Sequence, residues 1–172
     1  EGELIRLRAR EEEDEPLLFT WFNDPEVTQF LTLRYPLSHA KERMFIERTS
    51  DIHYSNASFA VVRKDTGELI GGVSLEQASP ENRSAVLGIT IGDKSHWDGG
   101  YGTDTMRTVS RFGFEMMNLH RIELDVYADN ARAVRCYEKV GYQLEGRLRD
   151  AVFKFGRYQD VLRMSVLEGE LT

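Results

Sequence analysis

Alternation of polar and apolar residues predicts the strands of this chain. Residues 4–8 and 121–126 read Leu-Ile-Arg-Leu-Arg and Arg-Ile-Glu-Leu-Asp-Val, a pattern typical of strands with one buried face. Apolar runs bounded by turn residues predict three further strands, at 59–63, 69–75 and 85–91. Asp65-Thr66-Gly67 joins the first two of these runs and is a hairpin signal. A second hairpin is predicted at the C-terminal end, from 152–155 to 158–167.

Apolar residues at helical spacing predict four helices. In chain order they lie at 16–22, at 38–49, from a glycine-rich turn to about residue 117, and between Asn130 and Gly141. Ser38 and Asn130 are favoured N-cap residues, and Gly141 is a favoured stop. Residues 27–37 have no clear period, so we expect a loop there.

The order of these elements predicts the fold class. It runs strand, two helices, three strands, helix, strand, helix, two strands, which indicates an α+β fold with helices packed on a central sheet. We expect about seven strands and about four helices. A length of 172 residues suits one domain, and no linker or repeat interrupts it, so residues 1–172 are predicted to form a single domain.

A glycine-rich turn, Trp97-Asp98-Gly99-Gly100-Tyr101-Gly102-Thr103-Asp104, lies between a predicted strand and a predicted helix. Such a turn presents backbone N–H groups and the partial positive charge of a helix start to one anion. A triphosphate loop requires Gly-Lys-Ser/Thr, and a dinucleotide loop requires a third glycine where Thr105 stands. The remaining ligand is a pyrophosphate held without Lys or metal, as in coenzyme A. A tight connection without any ligand is the other interpretation.

A second motif, Asn130-Ala131-Arg132-Ala133-Val134-Arg135-Cys136-Tyr137-Glu138-Lys139-Val140-Gly141-Tyr142, encodes a short helix with both ends marked. With the glycine turn, it resembles the GNAT superfamily of acetyl-CoA-dependent N-acetyltransferases. The superfamily's pyrophosphate loop is Q/R-x-x-G-x-G/A, and its later signature is an Asn that opens a helix ending in Tyr-Glu-Lys-x-Gly-Tyr/Phe. The resemblance covers nearly the whole chain and implies a three-layer α/β/α arrangement. Trp97 stands at the Q/R position, and Asp98 is expected to turn away from the phosphates.

The resemblance implies acetyl-CoA as co-substrate and indicates which residues bind it. In the family, a strand splays from its neighbour and its backbone pairs with the pantetheine arm, while the glycine loop binds the pyrophosphate. Asn130 caps its helix or also touches the coenzyme. The predicted coenzyme-binding residues are Ile89, Thr90, Ile91, Trp97, Asp98, Gly99, Gly100, Tyr101, Gly102, Thr103 and Asn130.

Tyr137 is the predicted catalytic residue, because the family places the tyrosine of this motif beside the thioester sulfur, where a phenol serves as a proton donor. The alternative is a core aromatic, since Tyr137 shares an apolar stripe with Ala133 and Val134. A backbone N–H near Ile89 or Ile91 is expected to polarise the carbonyl. Ordered water or one of four side chains is a candidate base, each with a structural role as the alternative: Glu76, His96, Asp150 and Asp160.

Cys136 is not expected to be a nucleophile. No base partner for it is visible in the sequence, and it should face away from Tyr137, its neighbour on the same helix. The histidines show no metal-ligand spacing with Cys136, so no metal is predicted. Direct acetyl transfer in a ternary complex is the expected mechanism.

The acceptor is the least determined part of the site. The family places the first helical pair beside the acceptor, which makes Phe30, Arg34 and Tyr35 candidate substrate-binding residues, with a loop anchored by aromatics as the alternative. Segments 145–150 and 156–160 resemble the Rim-type branch, which acetylates ribosomal-protein N-termini. A protein N-terminal α-amine is therefore the main expectation, and a polyamine or other small amine the alternative. A non-catalytic acyl-CoA-binding regulatory module is the alternative from another class.

Composition narrows the possible partners. A net charge of −7 argues against nucleic-acid binding. It is compatible with the attraction of a cationic amine substrate, and the alternative is that it only keeps the protein soluble. One cysteine excludes an intrachain disulfide, and no apolar run is long enough to span a membrane. We therefore predict a cytoplasmic protein without a membrane partner. Exposed edge strands at the C-terminal hairpin make a homodimer an open expectation.

Overall fold

Seven strands and five α-helices make up the computed structural model, which describes all residues from Glu1 to Thr172. The strands are β1 (Ile5–Arg8), β2 (Asn56–Arg63), β3 (Leu69–Ser79), β4 (Ser84–Ile91), β5 (Arg121–Tyr127), β6 (Gln143–Lys154) and β7 (Arg157–Leu167). The helices are α1 (Glu15–Phe22), α2 (Pro25–Thr28), α3 (His39–Ser50), α4 (Tyr101–Met116) and α5 (Ala131–Glu138). Short 3-10 turns lie at Glu12–Asp14 and Lys94–His96.

All seven strands belong to one sheet in the order β1-β2-β3-β4-β5-β7-β6. Every neighbouring pair is antiparallel except β4 and β5, which run parallel. The two-residue alternation of the strands places successive side chains on opposite faces of this sheet. None of the helices is both long and apolar enough to cross a bilayer.

Strand β2 illustrates how the sheet divides the core into two layers. Phe59 and Val61 belong to the larger cluster, which α4 covers through Met106 and Val109. Ala60 and Val62 belong to the other cluster, to which α1 contributes Leu18 and Trp21 and α3 contributes Ile46. Helices therefore pack on both faces, and the predicted α+β, three-layer fold is confirmed.

Two elements differ from the sequence prediction. The four-residue helix α2 begins just after the predicted end of the first helix and runs into the start of the predicted loop, with Asp24 as a side-chain N-cap that accepts from the Glu26 N–H. Strand β6 begins at Gln143, well before the predicted start at 152. Most β6 residues are exposed, because the strand lies at the sheet edge and has no face fully covered by the core. An edge strand of this kind lacks the apolar run by which the other strands were recognised.

The buried Asp104 ties the first strand to the first turn of α4. Its carboxylate accepts three backbone N–H groups, from Glu3 at 3.0 Å, Leu4 at 2.8 Å and Ile5 at 3.0 Å. Gly2 lies so close to this carboxylate that a Cβ there would collide with it. The chain start and the glycine turn are therefore held together by one side chain.

Candidate active site

A cleft opens where β4 and β5 separate. The two strands pair only from Ser84 to Val86 on β4, opposite 121–123 on β5. Beyond this point β4 keeps its partner β3 and β5 keeps its partner β7, so each strand has one free edge. The cleft between the edges has a volume of about 980 Å³. This is the separation of strands that the family resemblance implied.

The direction of the free groups on β4 follows from its pairing with β3. The Gly92 N–H donates to the Ile70 carbonyl on β3 at 2.9 Å. Because backbone groups alternate in direction along a strand, the N–H groups of Ile89 and Ile91 face the opposite side, which is the cleft. The Ile91 carbonyl accepts from the Trp97 indole, whereas Ile89 lies beyond the part of β4 that pairs with β5, so its cleft-facing backbone groups have no partner on that strand.

The glycine turn presents backbone donors at the end of this cleft. Gly100 has a left-handed backbone (φ +85°), and its carbonyl accepts the first helical bond, from the Asp104 N–H at 3.0 Å. The N–H groups of the first three helical residues, 101–103, therefore have no partner within α4. These donors and the positive end of a 16-residue helix form an anion site.

Trp97 is the point at which the turn is attached to its surroundings. Its indole Nε1 donates to the Ile91 carbonyl at 2.8 Å, and the Arg132 guanidinium lies 3.9 Å from the ring centroid. Arg132, Arg135 and Lys139, all from α5 or just beyond it, line the cleft. Arg132 therefore brings a positive charge onto the position where the family motif has Gln or Arg.

Most of the predicted coenzyme-binding residues line the cleft: Ile89, Thr90, Ile91, Trp97, Asp98, Gly100, Gly102, Thr103 and Asn130. Gly99 and Tyr101 do not. The Tyr101 ring packs edge-on against His96, with centroids 5.0 Å apart, and borders a separate depression beside Leu4 and Lys64. Successive residues at a helix start point in different directions, so Tyr101 can offer only its backbone. Asp98, expected to face away, is among the cleft-lining residues and has φ +61°.

Tyr137 is half-buried and lines the cleft, at the end of a helix whose caps match the sequence prediction. The Asn130 side chain accepts from the Ala133 N–H at 3.2 Å, and Gly141 has φ +106° beyond the helix. Burial raises the pKa of the Tyr137 phenol, and no hydrogen bond offsets the shift. The hydroxyl therefore stays protonated at neutral pH.

Cys136 also borders the cleft, which differs from the expectation that it faces elsewhere. Its thiol lies 3.4 Å from Thr103 Oγ1 and packs α5 against the first turn of α4. The cleft is wide enough at this point to contact two consecutive helical residues. Burial raises the pKa of the Cys136 thiol, so the thiol stays protonated and is a poor nucleophile.

The three residues predicted for the acceptor are not brought together. Phe30 lines the cleft, and its ring centroid lies 6.0 Å from that of Tyr127. Arg34 and Tyr35 do not line it, and Tyr35 is 80% exposed. Other residues of the same segment line it instead, among them Leu31, Thr32, Leu33 and Leu37. The cleft wall here is mostly apolar, and the charged Arg34 lies outside it.

Two of the four candidate bases line the cleft, and two do not. Glu76 lines the cleft and accepts from Ser74 Oγ at 2.8 Å. His96 lines it but lies 3.2 Å from the Asp93 carboxylate. Asp160 is outside the cleft lining and accepts from the Arg147 side chain at 2.6 Å and from the Asp150 N–H at 2.9 Å. Asp150 is also outside it, so Glu76 and His96 remain as candidates.

Among the charged cleft residues that the sequence did not predict, two are buried, namely Arg10 and Glu42. The available signal was the inward stripe of α3, in which Glu42 precedes Ile46 and Thr49 at helical spacing. A carboxylate at the first position of such a stripe breaks the apolar pattern. Arg10 offers no comparable signal, because it follows β1 in a polar stretch.

Sequence comparisons agree with this architecture. A family model described as "Acetyltransferase (GNAT) domain" matches residues 5–143. Uncharacterized N-acetyltransferase p20 of Bacillus licheniformis is 30% identical over 170 residues, which cover 98% of this chain and 95% of that protein. Spermidine N(1)-acetyltransferase of Vibrio cholerae is 35% identical over 119 residues, which cover 69% of this chain and 68% of that protein.

The fold is shared with a solved structure over almost its whole length. The crystal structure of spermidine N-acetyltransferase from Vibrio cholerae in complex with CoA and spermine aligns with a TM-score of 0.89. The sequence identity is 28%, and the alignment covers 98% of each chain. The sheet, its splayed strands and both helical layers are thus comparable between the two proteins.

Proposed function

Because the chain belongs to the acetyltransferase (GNAT) family and is an N-acetyltransferase that uses acetyl-CoA, we propose that its acceptor is a polyamine of the spermidine class. The observation that carries this proposal is the similarity to the spermidine acetyltransferase of Vibrio cholerae across 98% of both chains. That similarity supports the polyamine alternative better than the protein N-terminal α-amine that segments 145–150 and 156–160 had favoured.

The charge distribution in the cleft supports the same acceptor class. Positive side chains of α5 accompany the anion site, whereas Glu42 and Glu76 lie on the α3 and β3 walls. Burial lowers the pKa of the Arg10 guanidinium, and both carboxylates lie close enough to oppose that shift. A polyamine carries several positive charges, and carboxylates in a cleft attract it and orient it.

The residues at the anion site fit the pyrophosphate of coenzyme A. Backbone donors at 101–103 and the side chain of Arg132 supply charge and hydrogen bonds, and the free edge at Ile89 supplies a strand-like partner for an extended arm. Acetyl-CoA supplies the activated acetyl group of the reaction. In our proposal the N–H of Ile89 or Ile91 stabilises the negative charge that develops on the carbonyl oxygen.

Proton transfer requires two further groups. The attacking amine must lose its proton, because an ammonium has no lone pair, and Glu76 is placed in the cleft to accept or relay that proton. Tyr137 donates a hydrogen bond to the leaving sulfur. Since its pKa is raised above that of an ordinary phenol, transfer of its proton to a thiolate of pKa about 8.5 is uphill, so the phenol acts as a hydrogen-bond donor.

An acceptor panel tests the proposal. Release of free CoA is measured at saturating acetyl-CoA with spermidine, spermine, a peptide with a free N-terminus and a free amino acid, and the products are identified by mass spectrometry. We expect kcat/KM for spermidine to exceed that for the peptide at least tenfold. A peptide with a blocked N-terminus is the matched control. Faster turnover of the free peptide than of either polyamine contradicts the proposal.

A further inference from the structure

Glu42 is buried in the cleft wall without a partner. Its exposed fraction is 0%, and neither carboxylate oxygen has a hydrogen-bond partner in the protein. It lies on α3 at the start of the inward stripe that continues with Ile46 and Thr49. A buried carboxylate is costly in its ionised form unless a donor or a cation satisfies it, and the protein supplies no such partner to Glu42.

The nearest positive charge does not fill that role. Arg10 is buried beside Glu42, but its Nη1 donates to Thr49 Oγ1 at 3.1 Å, and the two side chains form no ion pair within 4.0 Å. Its Nε also has no partner. The guanidinium lies over Gly72, where a Cβ would be 3.1 Å from Nη2, and 5.0 Å from the Phe45 ring centroid. Arg10 is thus held away from Glu42 by its own contacts.

The opposing sheet surface leaves room for a ligand. The β3–β4 register places Ser74 opposite Gly88 and Gly72 opposite Thr90, so small residues form this part of the wall. Glu76 follows on the same face of β3 and accepts from Ser74 Oγ. Two carboxylates and a row of small side chains therefore border the same part of the cleft.

We propose that Glu42 binds a second, non-reacting ammonium of the acceptor while Glu76 serves the reacting amine, which makes the Glu42 wall a cation subsite selecting amines with at least two positive charges. The inference rests on the proposed function, because it assigns the part of the site that distinguishes a polyamine from a monoamine. Burial raises the pKa of the Glu42 carboxyl, against the opposing effect of Arg10. A bound ammonium supplies the missing donors and favours the ionised carboxylate.

The test compares spermidine with nonan-1-amine, which has the same chain length and one nitrogen. Steady-state kinetics are measured for the wild type, for Glu42→Gln and for Glu47→Gln, and spermidine binding to each CoA-loaded protein is measured by calorimetry. Glu47 is exposed on the same helix and outside the cleft, so its variant is the matched control. Thermal melting and CoA affinity establish that each variant is folded.

We expect Glu42→Gln to lower the kcat/KM ratio of spermidine to nonan-1-amine at least fivefold and to weaken spermidine binding by a similar factor. Glu47→Gln should match the wild type in both readouts. Glu42→Asp keeps the carboxylate but places it about one methylene further from the cleft, so it should lower the same ratio by a smaller factor. It replaces Glu42→Gln in the test if that variant does not fold.

The outcomes separate the two proposals. If the wild type acetylates spermidine but the ratio changes less than fivefold in folded Glu42 variants, the subsite is wrong and the polyamine function stands. If the CoA-loaded wild type neither binds nor acetylates spermidine yet acetylates a peptide, both the polyamine function and the subsite are overturned.

Discussion

The indole Nε1 of Trp97 donates a 2.8 Å hydrogen bond to the carbonyl oxygen of Ile91. This bond joins the glycine turn to the last residue of β4, the strand with the free edge. The two parts of the proposed coenzyme site are thereby fixed relative to each other. The same indole ring carries the Arg132 guanidinium, so one side chain positions donors from three segments.

Trp97→Phe should therefore weaken coenzyme binding without removing it. Phenylalanine keeps an aromatic surface for Arg132 but loses the bond to Ile91, and a typical hydrogen bond contributes about 0.5–1.5 kcal/mol. We expect KM for acetyl-CoA to rise by about threefold to tenfold with a nearly unchanged kcat. Trp97→Ala, which also removes the stacking surface, should cost more. Equal KM values for the wild type and Trp97→Ala contradict the role of the indole.

Gly100 and Gly102 should respond differently to alanine. Gly100 has φ +85°, which an L-residue adopts at a cost of about 1–2 kcal/mol. A Cβ on Gly102 would make only ordinary contacts, 3.6 Å from Cys136 Sγ. We expect Gly100→Ala to lower Tm by several degrees and to raise KM for acetyl-CoA about tenfold, and Gly102→Ala to have small effects on both. Similar losses in the two variants would indicate that backbone conformation is not what Gly100 provides.

Tyr137→Phe should lower kcat by about a hundredfold, the lower end of the range for a side chain that serves a proton at the reacting group. The Kd for CoA should stay within twofold. Tyr142→Phe is the matched control, because the Tyr142 hydroxyl instead bonds Ser110 Oγ at 2.9 Å in the core. It should reduce the free energy of unfolding by about 1 kcal/mol with little change in kcat. If both variants lose kcat equally, Tyr137 has no special part in the reaction.

The pH dependence of stability should reveal the burial of Glu42. Burial raises the pKa of this carboxyl in the folded protein, so the folded state holds the proton more tightly than the unfolded state. Stability from this group is therefore greatest below the unfolded pKa of about 4.3 and is lost as the pH rises through the folded pKa. Glutamine does not titrate and avoids this loss.

The Tm difference between Glu42→Gln and the wild type, without substrate, should thus become more positive from pH 4 to pH 8. The corresponding gain in the free energy of unfolding over the wild type should reach about 1–3 kcal/mol at the upper pH, the usual cost of an unsatisfied buried polar group. Differential scanning calorimetry at several pH values measures it, with Glu47→Gln as the control. A difference independent of pH would show that the carboxyl has an ordinary pKa in the folded protein.

The backbone of the proposed coenzyme end of the site was predictable because its determinants are local in sequence. The turn at 97–104 and the capped helix from Asn130 to Gly141 each carry their own backbone geometry, and both formed as expected. What local pattern could not give was the direction of individual side chains. Gly99 and Tyr101 belong to the motif but do not line the cleft.

The acceptor end was not predictable in the same way. Arg10, Glu42 and Glu76 come from separate elements and meet only through the packing of α3 on the sheet. Of the three candidates predicted in the 27–37 segment, Phe30 lines the cleft, whereas Arg34 and Tyr35 do not. Only the break that Glu42 makes in an otherwise inward-facing stripe is visible in the sequence.

The hydrogen bonds between Asp104 and residues 3–5 affect the electrostatics of the proposed coenzyme site. The Asp104 carboxylate lies in the first turn of α4, about one turn from where the phosphates are proposed to bind. Without hydrogen-bond partners it would repel them. The N–H groups of Glu3, Leu4 and Ile5 stabilise that charge and hold it on the side of the first strand. Residues 3–5 therefore reduce the repulsion between the Asp104 carboxylate and the phosphates of acetyl-CoA. Substitutions that remove these hydrogen bonds should make acetyl-CoA binding more dependent on salt concentration.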